Sequence, residues 1–429
     1  MKVLDSNKKN FDKTIDSLLS KRKKKIQSSS VSVKKIVEDV KKNGDKAVLK
    51  YEKRFSKNST IIPSKKKISK LISSLDKSVK KAIDLAYDRI YKFHKLQKFK
   101  NITHTDKYKN RLNYKYLPIE SCCIYCPGSS ASYPSSVLMA AIPALVAKVK
   151  RIVLINPGYK GIQNPGVLYA AQKCKISQIY SIGGASGIAA VAYGTKKIKR
   201  VDKVVGPGNQ FVTAAKKYVY GDVGIDGIAG PSEVTVVCDK TSNPEWIASD
   251  LIAQAEHGNF SECILISKDK KIIDKVKVEI SKQLKMIPRA SIAKRSLRDY
   301  GILMYINSNK KIAEVINKKI GPEHLEIHIK NYKSLLPMIK NAGSIALGRY
   351  AIMALTDYGA PLGGNHILPT NMSSRYSSGL GVSDFMKKIS YVSITKKGID
   401  KIGPSSITLA NYEGLAAHAK SIEKRMEKK

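Results

Sequence analysis

Five of the seven histidines lie close in sequence to carboxylate or amide side chains, which together could bind a metal ion. Gln254 and His257 are three residues apart at the end of a predicted helix, so they share one face. Further pairs follow along the chain: Glu323 with His324, Asp357 with His366, and Glu413 with His418. Two histidines, one carboxylate and one more ligand suffice for zinc. The spacing leaves two interpretations open, a shared metal site or separate local hydrogen bonds for each histidine.

The net charge of the chain suggests a nucleic-acid partner, but the types and distribution of the basic residues argue against one. The 78 basic and 34 acidic residues give a formal net charge of +44. Only 12 of the basic residues are arginine, the side chain best suited to phosphate, and the lysines extend along the whole chain. Aromatic residues do not alternate with the basic runs as base-stacking surfaces require. We therefore expect a solvated basic surface and no specific nucleic-acid partner.

The six cysteines do not predict a disulfide framework in a chain of 429 residues. Cys123 and Cys126 form a CxxC, but CCIYC has the pattern of a strand, in which residues three apart face opposite sides. The N-terminal sequence lacks the apolar segment of a signal peptide. Prolines interrupt the uncharged stretch between Glu120 and Lys148, which argues against a membrane span. We expect a cytoplasmic protein without a membrane segment.

The order of predicted elements indicates an α/β protein. Apolar residues at helical spacing occur near residues 33–40, before an Asn43-Gly44 stop, and again after a cap at Asp76. We expect the first hundred residues to be helical. Short apolar runs then alternate with helices, which predicts a parallel sheet covered on both faces. The candidate strands are 122–126, 152–156, 178–182, 202–205, 234–238 and 263–267.

In such sheets, ligands bind beyond the carboxyl ends of the strands. The loops PGSSASYPSS, GGASG, GPGN and AGPSE are therefore expected to hold the chemistry. The G-x-G-x-x-G fingerprint follows none of the candidate strands, so an NAD site of the commonest Rossmann kind is not predicted.

Eight motifs resemble the histidinol dehydrogenase family, in that family's order and approximate spacing. The resemblance covers roughly residues 30 to 425. The motifs are YPSSVLMAAIPA, VDKVVGPGN, YGDVGIDGIAGPSEV, DLIAQAEH, GPEHLE, NAGSIALG, NHILPT and EGLAAHA. Any one of them is weak, but eight in series are specific.

The resemblance implies a zinc-dependent, NAD-linked, four-electron dehydrogenase that converts L-histidinol through L-histidinal to L-histidine, with one zinc per subunit. The zinc ligands that it implies are Gln254, His257, Asp357 and His418. Zinc would also hold the substrate, and the implied substrate contacts are these four ligands together with Ser232, His324 and Glu413.

The same resemblance gives roles to two neighbouring residues. His324 takes the hydroxyl proton while hydride leaves to NAD, and Glu323 activates the water that hydrates the aldehyde. The cysteines then need no catalytic role.

The implied NAD contacts are Tyr125, Ser186 and Asn209. The family has a glutamine at the position of Ser186, and its PGG turn is here Pro127-Gly128-Ser129. A shorter side chain at position 186 loses a hydrogen bond or replaces it through water. This difference concerns NAD affinity rather than NAD identity.

The implied architecture is two Rossmann-like parallel-sheet domains with a helical N-terminal region and a C-terminal helical tail. The domains are an arm at 1–20, a zinc domain at 21–102 plus 231–375, an NAD domain at 103–230 and a tail at 376–429. The resemblance further implies a homodimer in which Glu413 and His418 complete the neighbouring site. The alternatives are a dehydrogenase of the same fold for another small polar alcohol, or a basic binding protein that has lost its catalysis.

Overall fold

The structure is a computed structural model that describes residues 1–26, 30–128, 133–158, 160–228, 230–359 and 364–426. Within these ranges, each helix is too short or too polar to span a bilayer. The uncharged stretch after Glu120 contains the buried strand Ser121–Tyr125 and the buried helix Pro134–Val146 instead.

The strands follow one another along the whole chain. In the described part they are Lys2–Asp5 (β1), Ile102–Thr105 (β2), Arg111–Pro118 (β3), Ser121–Tyr125 (β4), Arg151–Ile155 (β5), Gln178–Tyr180 (β6), Lys203–Val205 (β7), Gly224–Ile225 (β8), Glu233–Cys238 (β9), Glu262–Ser267 (β10), Gly301–Tyr305 (β11), His324–Ile327 (β12), Ser344–Leu347 (β13) and Met386–Ser393 (β14).

Helices connect most of these strands. Among the described residues the α-helices are Phe11–Ile26 (α1), Ser30–Phe55 (α2), Lys65–Ser73 (α3), Lys77–Lys95 (α4), Pro134–Val146 (α5), Pro165–Lys173 (α6), Gly184–Tyr193 (α7), Gln210–Val219 (α8), Pro244–Ala255 (α9), Lys270–Gln283 (α10), Ala290–Tyr300 (α11), Asn309–Val315 (α12), Met353–Thr356 (α13), Lys396–Tyr412 (α14) and Ala416–Met426 (α15).

The predicted local signals for helices are present in the structure. Asp76 caps α4 and Asn243 caps α9, each with its side chain accepting a backbone N–H bond. Gly44 lies at φ 50° and ψ −132°, so the predicted stop is a kink inside α2 rather than its end. The chain resumes the helix beyond it because Val48 and Tyr51 continue the buried stripe.

One parallel sheet carries the N-terminal segment and the middle of the chain. It has six strands in the order β1-β11-β10-β9-β12-β13. Every residue of β9 and β10 is buried, with apolar clusters on both faces, as near-continuous apolar strands of a covered parallel sheet require. The expectation that the first hundred residues are helical is wrong at β1, because this four-residue edge strand is too short to show a period.

A second parallel sheet has five strands in the order β6-β5-β4-β7-β8. The predicted strands at 122–126, 152–156, 178–182 and 202–205 match its members to within two residues. Cys123 packs into the core on one face, while Cys122 and Cys126 pack into the core on the other. All six cysteines are buried free thiols, as the strand interpretation of CCIYC predicts.

A third sheet joins the tail to the two strands that precede the five-stranded sheet in the chain. Strands β14, β3 and β2 pair antiparallel, and β14 runs beside the full length of β3 from Met386 opposite Pro118 to Ser393 opposite Arg111. In the described part of the tail predicted at 376–429, a short 3-10 helix, Val382–Phe385, precedes β14, and the α-helices lie beyond it. The boundaries predicted for the two Rossmann-like domains stay predictions.

Candidate active site

The candidate catalytic residues lie at the amino ends of strands in the six-stranded sheet. Ser232 directly precedes β9, and Glu323 directly precedes β12, whose first residue is His324. His324 lies beside Val234 in the sheet, close to the start of both strands. The expectation that chemistry lies beyond the carboxyl ends is wrong for these residues. For the loops after β4, β6 and β7, which follow their strands, it stays a prediction.

Helix α9 brings the Gln254 and His257 pair to the same end of the sheet. It connects the parallel neighbours β9 and β10 and so runs antiparallel to them, which returns its last residues to the amino ends. Gln254 is 0% exposed, and neither its Oε1 nor its Nε2 has a hydrogen-bond partner within the described part of the chain. An unpaired buried amide costs on the order of 1–3 kcal/mol. A buried amide without a hydrogen-bond partner is therefore suited to bind a metal ion or a substrate.

His257 and Asp357 interact electrostatically at this site. Burial lowers the pKa of His257, and Asp357 opposes that shift. Burial would raise the pKa of Asp357, but a hydrogen bond with His366 and the nearby His324 and His257 bring it below its ordinary value. Asp357 is thus a carboxylate and His257 a neutral imidazole at neutral pH, which are the protonation states that metal ligands need.

His366 is a site residue that the sequence analysis placed beside Asp357 without giving it a role. Its Nδ1 lies 3.4 Å from Asp357 Oδ1 and 3.1 Å from the Asp357 carbonyl oxygen. Its Nε2 lies 3.3 Å from Ser136 Oγ. His366 therefore orients Asp357 and links it to helix α5. The sequence pairs Asp357 with His366, but residues nine apart in a glycine-rich run give no signal that the two side chains touch.

His324 is buried at the start of β12, and burial lowers its pKa to about 4 although Asp357 and Glu326 oppose the shift. Its imidazole is therefore neutral near pH 7 and can accept a proton. His324 Nε2 lies 3.8 Å from Glu323 Oε1. The two neighbours in sequence thus present their functional groups to the same space.

Glu323 is held from behind by the backbone of β9, since the Glu233 N–H donates to its Oε2 at 2.9 Å. Burial, and then the nearby Glu233, raise the pKa of Glu323 well above its ordinary range, and Arg22 opposes this. Positive charge favours the carboxylate form. A cation held by Gln254, His257 and Asp357 would therefore help Glu323 to act as a base.

A buried arginine from the N-terminal helix supports this corner of the site. Arg22 donates from Nη1 to Glu233 Oε1 at 2.6 Å and from Nη2 to the Pro231 carbonyl at 2.7 Å. Glu262 Oε2 lies 3.6 Å from the same guanidinium. Burial raises the pKa of Glu262 to about 7, and Arg22 opposes the shift. Arg22 thus fixes the loop on both sides of Ser232.

We expect Arg22→Met to lower the free energy of unfolding by about 3–5 kcal/mol, because it leaves Glu233 without its buried counter-charge. Urea unfolding at neutral pH measures the change. Arg298→Met is the matched control, since Arg298 pairs with Asp299 in an exposed position and costs at most about 1 kcal/mol. Equal losses in the two variants would contradict a special role for Arg22.

The tail residues are not part of this cluster within one chain. Glu413 and His418 are both exposed, Glu413 at the end of α14 and His418 in the first turn of α15. Of the four ligand positions implied by the resemblance, His257 and Asp357 interact electrostatically and Gln254 lies three residues before His257, whereas His418 lies on the surface.

The predicted NAD contacts lie along the second sheet with different surroundings. Tyr125 is buried at the end of β4, and Asn209 is exposed and caps α8 with its side-chain oxygen. Ser186 is buried, and its hydroxyl donates to the Gly183 carbonyl at 3.0 Å and to Glu52 at 3.3 Å. The Ser186 hydroxyl is thus directed into the protein. Ser129 of the altered PGG turn lies outside the described residues.

A second polar cluster lies beneath the site and was not predicted. Asp250, Glu326 and His328 are buried, and their ligand-type atoms lie within 4.8 Å of one another. Asp250 is one helical turn before Gln254, while Glu326 and His328 alternate with His324 along β12 and beyond. The helical period places Asp250 on the same face of α9 as Gln254, and the strand period places Glu326 and His328 on the same face as His324. The sequence could not show that these two faces meet.

Two parallel sheets covered by helices, with buried histidine, carboxylate and amide groups at one sheet end, define an α/β enzyme. The family model described as "Histidinol dehydrogenase" matches residues 19–426. The histidinol dehydrogenase of Pelagibacter ubique is 69% identical over 430 aligned residues, covering 100% of both chains. That of Bacillus subtilis is 44% identical, covering 92% of each chain. The crystal structure of histidinol dehydrogenase from Elizabethkingia anophelis superposes with a TM-score of 0.89 at 37% identity, covering 99% of this chain and 98% of that one.

The chain belongs to the histidinol dehydrogenase family. It is an oxidoreductase of the final steps of histidine biosynthesis, and the fold and the class predicted from the eight motifs are confirmed.

Proposed function

We propose that the enzyme oxidises L-histidinol to L-histidine with one zinc ion per subunit and NAD as the hydride acceptor. The observation that carries the zinc proposal is Gln254, a fully buried amide without a partner among the described residues, on helix α9, which ends two residues before His257. Asp357 is held as a carboxylate beside these residues. We assign Gln254, His257 and Asp357 as ligands from one subunit and His418 of a second subunit as the fourth.

Zinc, when bound, supplies a Lewis acid that can hold the substrate nitrogens and fix the carbinol carbon in one position. The chain's own residues do the proton chemistry. His324, neutral near pH 7, accepts the hydroxyl proton in each oxidation. Glu323 polarises the water that adds to the aldehyde between the two oxidations. Ser232, Glu413 and the zinc ligands hold the substrate.

Tyr125, Ser186 and Asn209 are proposed to line the site for NAD, the hydride acceptor of each oxidation. Asn209 suits this best, because its oxygen caps α8 and its amide nitrogen remains at an exposed helix N-terminus, where phosphate groups bind favourably. Ser186 contributes through the shape of its helix start, since its hydroxyl is engaged by Gly183 and Glu52.

The proposed dimer accounts for an exposed apolar surface on the tail. Among described residues, Leu409, Tyr412 and Leu415 are 56%, 89% and 43% exposed close to Glu413. Burying such residues against a second subunit is favourable by about 25 cal/mol per Å² of apolar surface. We also propose a cytoplasmic location, because six free thiols suit a reducing compartment.

The test of the zinc proposal is metal content together with NADH formation from histidinol. We expect one zinc per subunit, loss of activity after chelation, and loss of the metal in His257→Ala. His104→Ala is the matched control, because His104 is exposed on strand β2. Full activity after complete removal of metal would show that the zinc proposal is wrong.

We expect two inactive variants to complement one another if the tail completes the neighbouring site. His418→Ala mixed with His324→Ala gives a mixed dimer with one intact site, so random assembly restores about a quarter of the wild-type activity. The measurement is NADH formation after the subunits are dissociated and reassembled. Verified mixed dimers without activity would indicate that each subunit completes its own site.

A further inference from the structure

The buried triad Asp250, Glu326 and His328 connects the three elements that carry the proposed site. Asp250 belongs to α9, which carries Gln254 and ends just before His257. Glu326 and His328 follow His324 along β12, so all three side chains project to one face of the sheet. The triad thus lies directly beneath the residues assigned to metal and proton chemistry.

Within the triad, His328 and Glu326 share a hydrogen bond, Asp250 makes a longer contact with His328, and all three side chains are shielded from water. His328 Nε2 lies 3.1 Å from Glu326 Oε2 and 3.7 Å from Asp250 Oδ2. Glu326 is 1% exposed, His328 6% and Asp250 7%. Polar groups at such depth lose their hydration, so they stabilise the fold only in the arrangement that satisfies them.

The second oxygen of Glu326 reaches the segment that ends in Asp357. The backbone N–H of Met353 donates to Glu326 Oε1 at 2.6 Å. Met353 begins the single turn of α13, whose C-cap is Asp357. The Met353 side chain is buried in the same apolar cluster as Ile247 and Leu251 of α9. Glu326 therefore fixes the start of the turn that presents Asp357.

We propose that Asp250, Glu326 and His328 are positioning residues that hold helix α9, strand β12 and helix α13 in the arrangement the zinc ligands need. This inference rests on the zinc site proposed above. The triad acts through other residues: Asp250 on the helix of Gln254, and Glu326 on the helix turn of Asp357. Residues that orient metal ligands typically contribute ten- to a hundredfold in metal affinity.

Charge within the triad favours this role over metal binding by the triad itself. Burial, and then the nearby Glu326, raise the pKa of Asp250 to about 8. Asp250 therefore keeps its proton near neutral pH, and Glu326 serves as an acceptor for His328 and Met353. A metal ion would have to displace the proton and compete with both hydrogen bonds.

The test compares the zinc affinity of three variants by competition with a chromophoric chelator. Glu326→Met removes both acceptors at similar volume, and we expect its affinity to fall ten- to a hundredfold. Glu326→Gln keeps an oxygen for the Met353 N–H, so most of the affinity returns. Leu325→Ala is the matched control, since Leu325 is buried on the opposite face of β12 and should leave the affinity within about threefold.

The visible absorption of the cobalt-loaded protein gives a second readout that a loss of stability alone does not move. We expect an altered ligand-field spectrum in Glu326→Met and a native spectrum in Leu325→Ala. If Glu326→Met does not fold, Asp250→Asn replaces it, because the substitution preserves size, and we expect a smaller change in the same direction.

Unchanged affinity and an unchanged spectrum in the triad variants would overturn the inference. A second zinc per subunit that disappears in Glu326→Met would also overturn it, because the triad would then be a metal site itself. Failure of the zinc proposal is distinguishable, since wild type would then hold no zinc or His257→Ala would retain it.

Discussion

His324→Ala is expected to slow the oxidation of histidinol and of histidinal alike, each by on the order of a hundredfold to ten-thousandfold. Both steps need a group that accepts a proton as hydride leaves. Burial lowers the pKa of His324 to about 4, so the neutral imidazole is available near pH 7. Single-turnover NADH formation from each substrate, with an aldehyde trap present, measures the two steps separately.

The control for this variant is His104→Ala, which removes an exposed imidazole from strand β2 and should leave both rates unchanged. Zinc content of His324→Ala must equal that of wild type for the comparison to concern proton transfer. A variant that slows only one of the two oxidations would show that His324 is not their common base.

Glu323→Gln is expected to slow the second oxidation by about a hundredfold or more and to leave the first nearly unchanged. Only the second oxidation needs water to add to the aldehyde. The amide oxygen can still accept the Glu233 N–H bond, so the position of the side chain is kept while its ability to take a proton is lost. The same single-turnover measurement, started from histidinal, reports the effect.

Glu245→Gln is a matched control, because Glu245 is exposed at the far end of α9 from Gln254. Slowing of the first hydride transfer as large as that of the second would contradict separate roles. Glu323 and His324, whose groups lie 3.8 Å apart, would then act as one unit.

The sequence predicted those parts of the site whose geometry is local. Asn243 and Pro244 mark the start of α9, and the helical period predicted Gln254 and His257 on one face, although α9 ends at Ala255 and His257 follows in a turn. The alternation of strands and helices predicted four strands of the five-stranded sheet and the strands β9 and β10 of the six-stranded one, but it did not divide them between two sheets. The sequence did not predict the edge strand β1 or the pairing of β14 with β3, because the partner strands lie far away along the chain.

Contacts across long sequence separations account for what the sequence could not show. Arg22 pairs with Glu233, which lies 211 residues further on, and only the folded chain brings a lysine-rich helix to a carboxylate of β9. The triad is a similar case, since Asp250 and His328 come from different elements. The placement of Gln254 and His257 at the amino ends followed from the direction of α9, which the general rule for parallel sheets does not contain.

The pairing of β14 with β3 fixes the position from which the helices of the tail extend. Its base is anchored through eight paired residues to its own subunit, and the chain leaves the sheet directly into α14. At 1.5 Å per residue, the 17 residues of α14 extend about 25 Å. In the proposed dimer this length sets the spacing between subunits. One inserted residue in α14 would rotate everything beyond it by about 100°. The position of His418 in the neighbouring site would therefore depend on the number of residues in α14.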